Sequence, residues 1–173
     1  NRKFQESGLD SGNEYNSGCI ADAMTPYLKA AGISYTIKPP DMTAASAIRA
    51  SNAGNYDLHL AIHTVLAPPH LQGVAIYHHS KDGRYLADLI AANMKTIYPQ
   101  PDKVTVLTTT AFGEVAHTIA PSVLMEIIYY DENFDDTLWL RENTDCLAQA
   151  LARSIAAFFG ISFPVRGTYN TKT

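Results

Sequence analysis

Two cysteines, a single tryptophan and a charged fraction of only 17% are the scarcities of this 173-residue chain. Cys19 and Cys146 stand in neither a C-x-x-C pair nor a spacing shared with histidine, so a disulfide framework and a thiolate metal site are both disfavoured, and two small buried apolar residues are the expected reading. Thirteen basic residues against 17 acidic ones give a net charge of -4 with no basic surplus. Lys and Arg are scattered, which argues against nucleic acid as a partner. No apolar run approaches the roughly 20 residues that span a bilayer, so no transmembrane segment is expected, and Asn1–Glu6 carries no signal-peptide core. There is no G-x-G-x-x-G or P-loop, which sets aside a nucleotide-binding domain. Internal repeats and low-complexity tracts are also lacking. What remains is 46% hydrophobic content, enough for one well-filled core.

The apolar pattern alternates between two periods. Gly18 to Ala31 reads as a helix with Ile20, Met24, Tyr27 and Leu28 on one face, Pro26 as a kink or restart and Gly32 as its stop. Ile33–Ile37 alternates like a strand, and Thr43 caps a short helix to Asn52. Strands follow at Leu58–Ile62 and Gly73–Tyr77, separated by a Pro-rich loop. Leu86, Leu89, Ile90, Met94 and Ile97 mark an amphipathic helix closed by Pro99 and Pro101. Val104–Thr108 is a short strand, Ala111–Thr118 a loop, Ser122–Ile128 the most hydrophobic strand, and one long helix runs from Asp136 or Thr137 to Gly160. Strands alternating with helices predict an α/β fold, a three-layer α/β/α sandwich with a mostly parallel central sheet. Residues 1–163 are expected to form the domain and 164–173 a C-terminal tail or linker.

Two strands carry an ionisable residue at or near the end of an apolar run: His63 in Asp57-Leu-His-Leu-Ala-Ile-His63 and Glu126 in Ser122-Val-Leu-Met-Glu126-Ile-Ile. In open α/β sheets the ligand crevice lies beyond such ends. Thr64 onward reads as loop, which puts His63 at the rim. His59 is four residues earlier, roughly 13 Å at strand rise, so the two imidazoles cannot share one ion, and His59 is expected to be satisfied within the fold. His78 and His79 read as a surface tip before a turn. A carboxylate inside an apolar strand is costly unless paired, hydrogen-bonded, metal-bound or protonated, so Glu126 must meet something.

The succession Asp57–His63, Gly73-Val-Ala-Ile-Tyr77, Ala120–Glu126 and Asp131-Glu-Asn-Phe-Asp-Asp-Thr-Leu-Trp-Leu140, with Glu14-Tyr15, Ile20–Ala23 and Phe159-Gly160, resembles the zinc-dependent N-acetylmuramoyl-L-alanine amidases of the amidase-3 type over nearly the whole chain. The resemblance implies a peptidoglycan hydrolase that cuts the amide between N-acetylmuramic acid and L-alanine of the stem peptide, working outside the cell or at the cell wall as a domain of an exported protein or a phage lysin. It implies a zinc cofactor with Glu14 and His63 among its ligands and Glu126 acting on the attacking water. His117, in Gly113–Thr118, is a candidate for substrate binding.

This chain departs from the family at two points. Members carry a first zinc histidine in a loop after their opening strand; Arg2–Gly8 contains none, and no strand is evident there. Thr64-Val65 also stand where the family favours small polar residues. Two function classes follow: an active zinc amidase, or a non-catalytic relative that binds muropeptide or a partner protein.

Overall fold

Six strands form one sheet in the order β2-β1-β3-β6-β4-β5, in a computed structural model that describes residues 3–7, 14–130 and 134–163; for 3–7, 14–17, Pro69 and Phe134 it describes the backbone. The strands are β1 (Lys3–Ser7), β2 (Ser34–Ile37), β3 (Leu58–Leu66), β4 (Gly73–His78), β5 (Val104–Thr108) and β6 (Ser122–Tyr129). β2, β1, β3 and β6 run parallel; β4 turns against β6, and β5 follows β4. The helices are α1 (Glu14–Ala30), α2 (Ala44–Ala53), α3 (Lys81–Met94), α4 (Gly113–Ala116), α5 (Phe134–Glu142) and α6 (Thr144–Phe158). The α/β sandwich with a mostly parallel sheet is therefore as expected.

Alternation along each strand sends successive side chains to opposite faces. Leu58, Leu60 and Ile62 of β3, Val74 and Ile76 of β4, and Val123, Met125 and Ile127 of β6 all point to one face, where they meet Ile20, Met24 and Leu28 of α1, Leu86, Ile90 and Met94 of α3, and Leu147, Leu151 and Ile155 of α6. All are buried, each large apolar side chain contributing about 1.5–3 kcal/mol. The opposite face is covered more thinly. There Val115 of α4 packs on Ala61 and Leu124, and α4 meets α2.

Local chemistry explains the element ends. Thr43 and Ser80 accept hydrogen bonds from the backbone N–H groups of Ser46 and Gly83 at 3.2 and 3.0 Å, capping α2 and α3. Gly32 and Gly160 adopt φ of +69° and +66° just past α1 and α6, the left-handed conformation that glycine takes without a Cβ penalty. α1 runs through Pro26. The carbonyl that proline leaves without a donor, that of Asp22, instead accepts from the Thr25 hydroxyl at 2.9 Å. Among the described residues no helix is long and apolar enough to cross a membrane.

Several expectations need correction. An opening strand exists, β1, paired on both sides by β2 and β3 despite its polar sequence. The loop expected at 111–118 contains α4. The single long C-terminal helix is two, α5 and α6, parted at Asn143, whose φ of -109° and ψ of 13° leave the helical region. His78 is buried, with its Nε2 at 3.2 Å from the Thr108 hydroxyl, while only His79 is exposed. Cys19 and Cys146 are free thiols, but not the buried pair expected: Cys19 is half-buried, and Cys146 is exposed on α6. The tail expected at 164–173 lies outside the described residues.

Candidate functional site

His63 and Glu126 are direct register partners on the adjacent parallel strands β3 and β6. The same transverse row continues to Ala75 of β4, opposite Glu126, and to Thr105 of β5, opposite Ala75. Thr105, Ala75, Glu126 and His63 thus form one line across the sheet, at a strand spacing of about 4.8 Å. All four project from the thinly covered face. β3 runs four residues further than expected, to Leu66, because the β-branched Thr64 and Val65 continue the extended backbone, and β6 runs one further, to Tyr129. His63 and Glu126 therefore stand on the face of the sheet, near its rim but inside the strands, and not at the strand ends.

Cover explains their exposure. α4 lies over the N-terminal half of β3 and β6, with the Ser122 hydroxyl donating to the Val115 carbonyl at 3.1 Å. Beyond Ala61 and Leu124 the layer thins, leaving His63 and Glu126 half-buried. Next to them an open groove of about 340 Å³ runs over Gly73, Ala75, Thr105 and Ile128, bounded by His70 and Lys103. The small side chain at Ala75 leaves this floor open.

Glu126 finds its partner in Tyr77, two residues along β4 from Ala75 and on the same face. The Tyr77 hydroxyl donates a hydrogen bond to the Glu126 carboxylate. Burial raises the Glu126 carboxyl above its ordinary range, and the Tyr77 hydrogen bond opposes that shift. The Tyr77 phenol is itself raised, first by burial and then by the charge of Glu126. Phe112, at the start of α4, holds the tyrosine ring edge-on with centroids 4.9 Å apart. A carboxylate kept reluctant to ionise, with an imidazole as its register partner on the adjacent strand, has the properties of a proton acceptor.

Glu14 is the first residue of α1. β1 ends at Ser7, in register with Ala61, two residues before His63 on β3, so the chain leaves β1 close to the row and returns to open α1 at Glu14. His117 sits at the far end of α4, where its carbonyl accepts from Asn52 of α2 at 2.9 Å. It is placed on the α2 side of the covered half of the face. Tyr77 was not singled out by sequence reasoning, because its closeness to Glu126 depends on the antiparallel pairing of β4 with β6.

A second polar constellation lies under α4. His59 is fully buried, its Nε2 2.8 Å from Glu114 Oε2 and its Nδ1 3.2 Å from the Ser51 hydroxyl. This meets the expectation that His59 is satisfied internally. It also ties α2, β3 and α4 together.

No protein-family model and no curated protein matches the sequence. Solved structures match the fold closely. The catalytic domain of the CD27L endolysin targeting Clostridia difficile superposes with a TM-score of 0.75 at 15% identity, covering 91% of this chain and 98% of that one. The N-acetylmuramoyl-L-alanine amidase AmiC2 of Nostoc punctiforme gives 0.74 at 17% identity, covering 91% and 96%. The CwlD amidase from Clostridioides difficile, solved in complex with the GerS lipoprotein, gives 0.76 at 13% identity, covering 92% and 99%. This chain has the fold of N-acetylmuramoyl-L-alanine amidase catalytic domains.

Proposed function

We propose that this chain hydrolyses the amide bond between N-acetylmuramic acid and L-alanine in peptidoglycan, acting outside the cell or at the cell wall. The observation that carries the reading is the row His63–Glu126–Ala75 on the open face, with Tyr77 bonded to Glu126, in an amidase-type fold. Glu126 accepts a proton from the attacking water and returns it to the departing alanine amine. Tyr77 orients that carboxylate, and the adjoining groove receives the muropeptide.

Zinc is the cofactor that the resemblance implies, and the donor set tests it. Catalytic zinc centres take three protein donors, commonly two or three imidazoles. All six histidines lie among the described residues, and only His63 stands in the row with Glu126. Among the described residues no group of three His, Cys, Asp or Glu is positioned to hold an ion. The residues between β1 and α1 in sequence, 8–13, are Gly-Leu-Asp-Ser-Gly-Asn and include no histidine. The residues present do not fit a two-imidazole zinc centre, and no step above passes through a metal.

That shortage supports a second reading, a muropeptide-binding relative without turnover. Incubation of the protein with purified sacculi separates the two. Hydrolysis liberates alanine amino groups without new reducing ends, and Glu126→Gln abolishes the release. Sedimentation with sacculi without amine release favours the binding module.

A further inference from the structure

We infer that the cavity between the end of β6, α5 and the segment after α3 binds an organic ammonium group, with Tyr98 and Trp139 as its walls and Asp135 and Asp136 as its counter-charges. The inference goes beyond the proposed reaction and does not depend on it. The cavity holds about 340 Å³, a size that takes a small ligand. It adjoins the groove at Ile128, but Ile127 and Tyr129, which also line it, project from the face of the sheet opposite Glu126. Its occupant is therefore held apart from the His63–Glu126 row. The walls are aromatic. Tyr98 and Trp139 meet at a centroid distance of 5.2 Å with ring planes 87° apart. A pair in this arrangement encloses a right-angled corner bounded by one face of each ring, and each face is the negative side of the ring quadrupole. Both residues are half-buried and packed against the core, so the corner is preformed. A cation seated there is attracted by two rings at once.

The charges are of one sign. Asp135 and Asp136 line the cavity from the first turn of α5, where the helix dipole favours carboxylates, and among the described residues no Lys, Arg or His lines it. The Tyr130 backbone N–H donates to Asp136 Oδ2 at 3.3 Å, which orients that carboxylate. Its charge is felt at the corner: the Tyr98 phenol is pushed up to about 12, first by burial and then by Asp136. Buried Ile127 and Leu140 add apolar surface. Two aromatic faces, apolar surface and two carboxylates without a basic residue select a positive charge carried on an alkyl body. A neutral sugar would use the rings and leave the charges unmatched, and an anion would be repelled. A primary amine on a peptide side chain and a methylated ammonium offer the same chemistry.

Trp139 is the only tryptophan of the chain, so its fluorescence reports from the cavity wall. The test titrates the 173-residue protein at constant ionic strength with choline, with butylammonium chloride, with 3,3-dimethylbutan-1-ol, the neutral carbon isostere of choline, and with N-acetylglucosamine. The expected result is a saturable change with at least one of the two ammonium ions, choline leading for a methylated group and butylammonium for a primary amine, and binding of both neutral compounds at least about tenfold weaker. Tyr98→Leu should weaken the ammonium by about two- to thirtyfold, while Tyr98→Phe keeps the ring and the affinity. Asp136→Asn, which retains an acceptor for Tyr130, should weaken it by about fivefold or more. Should that variant fail to fold by circular dichroism, Asp135→Asn, at an exposed position, is held to the same expectation. Trp139 emission indifferent to both ammonium ions overturns the inference. So does a neutral compound that binds within about tenfold of them, or an affinity untouched by loss of a carboxylate. Binding is read without turnover, so an inert protein on sacculi leaves this result standing, and an empty cavity leaves the hydrolase reading standing.

Discussion

Removing the Glu114 carboxylate tests whether the thin second layer of the sandwich hangs on one buried polar contact. Glu114 and His59 meet at 2.8 Å with side-chain exposures of 3% and 0%, and Ser51 occupies the other ring nitrogen at 3.2 Å. Breaking a buried pair by deleting one partner costs about 3–5 kcal/mol, because the survivor keeps its desolvation penalty. For a domain of this size each kcal/mol shifts Tm by about 2–4 °C, so Glu114→Ala should lower Tm by about 6–20 °C. Glu114→Gln retains the shape and one hydrogen bond and should lose about 1–3 kcal/mol. The contrast is Arg84–Asp88, an i,i+4 pair at 3.0 Å with exposures of 56% and 52%, where Asp88→Ala should cost about 0.3–0.5 kcal/mol. Calorimetry on the three variants, with His59→Phe and Glu114→Leu made singly and together, measures the coupling directly. A Glu114→Ala variant within about 1 kcal/mol of the parent, or indistinguishable from Asp88→Ala, would refute the reasoning.

Three further outcomes are expected. Because burial raises the Glu126 carboxyl in the fold, its contribution is present in full below the ordinary value of 4.5 and is lost as pH rises through the raised value; Glu126→Gln should therefore be more stable than the parent at pH 7 in urea titrations, and a less stable variant contradicts this. Tyr77→Phe removes the hydrogen bond that lowers the Glu126 pKa, so the acid limb of the sacculus-hydrolysis pH profile should move upward; an unmoved limb detaches Tyr77 from the carboxylate. Burial lowers the pKa of His78, so the folded state binds its proton less readily than the unfolded chain, and stability should fall as pH drops below about 6.5; the pH dependence should flatten in His78→Asn, and an identical slope would show that other groups set it.

The elements that could be read in advance are those whose side-chain pattern carries its own period. α1, α3, β3, β4 and β6 bury continuous apolar stripes, and Gly32, Thr43 and Gly160 mark the end of α1, the start of α2 and the end of α6 by local chemistry. β1 escaped notice because Lys-Phe-Gln-Glu-Ser has no apolar signature; its neighbours on both sides, not its residues, make it a strand. α4 is four residues long, too short for a helical period, and nothing in Gly113-Glu-Val-Ala announces that Glu114 will reach a histidine 55 positions earlier. Within the candidate site, His63 and Glu126 were each legible as an ionisable residue in an apolar strand, but their juxtaposition comes from the sheet order, which sets β3 beside β6. Tyr77 required knowing that β4 reverses direction, a fact of topology that no local motif holds.

That reversal has a further consequence. Turning β4 and β5 against the other four strands lays the Pro69–Leu71 and Pro101–Lys103 segments alongside the open half of the face as low banks instead of roofing it with a helix. Among the described residues this trough has banks and no roof, a shape that admits a long polymer sideways. On the function proposed above, hydrolysis would then need no free chain end to begin.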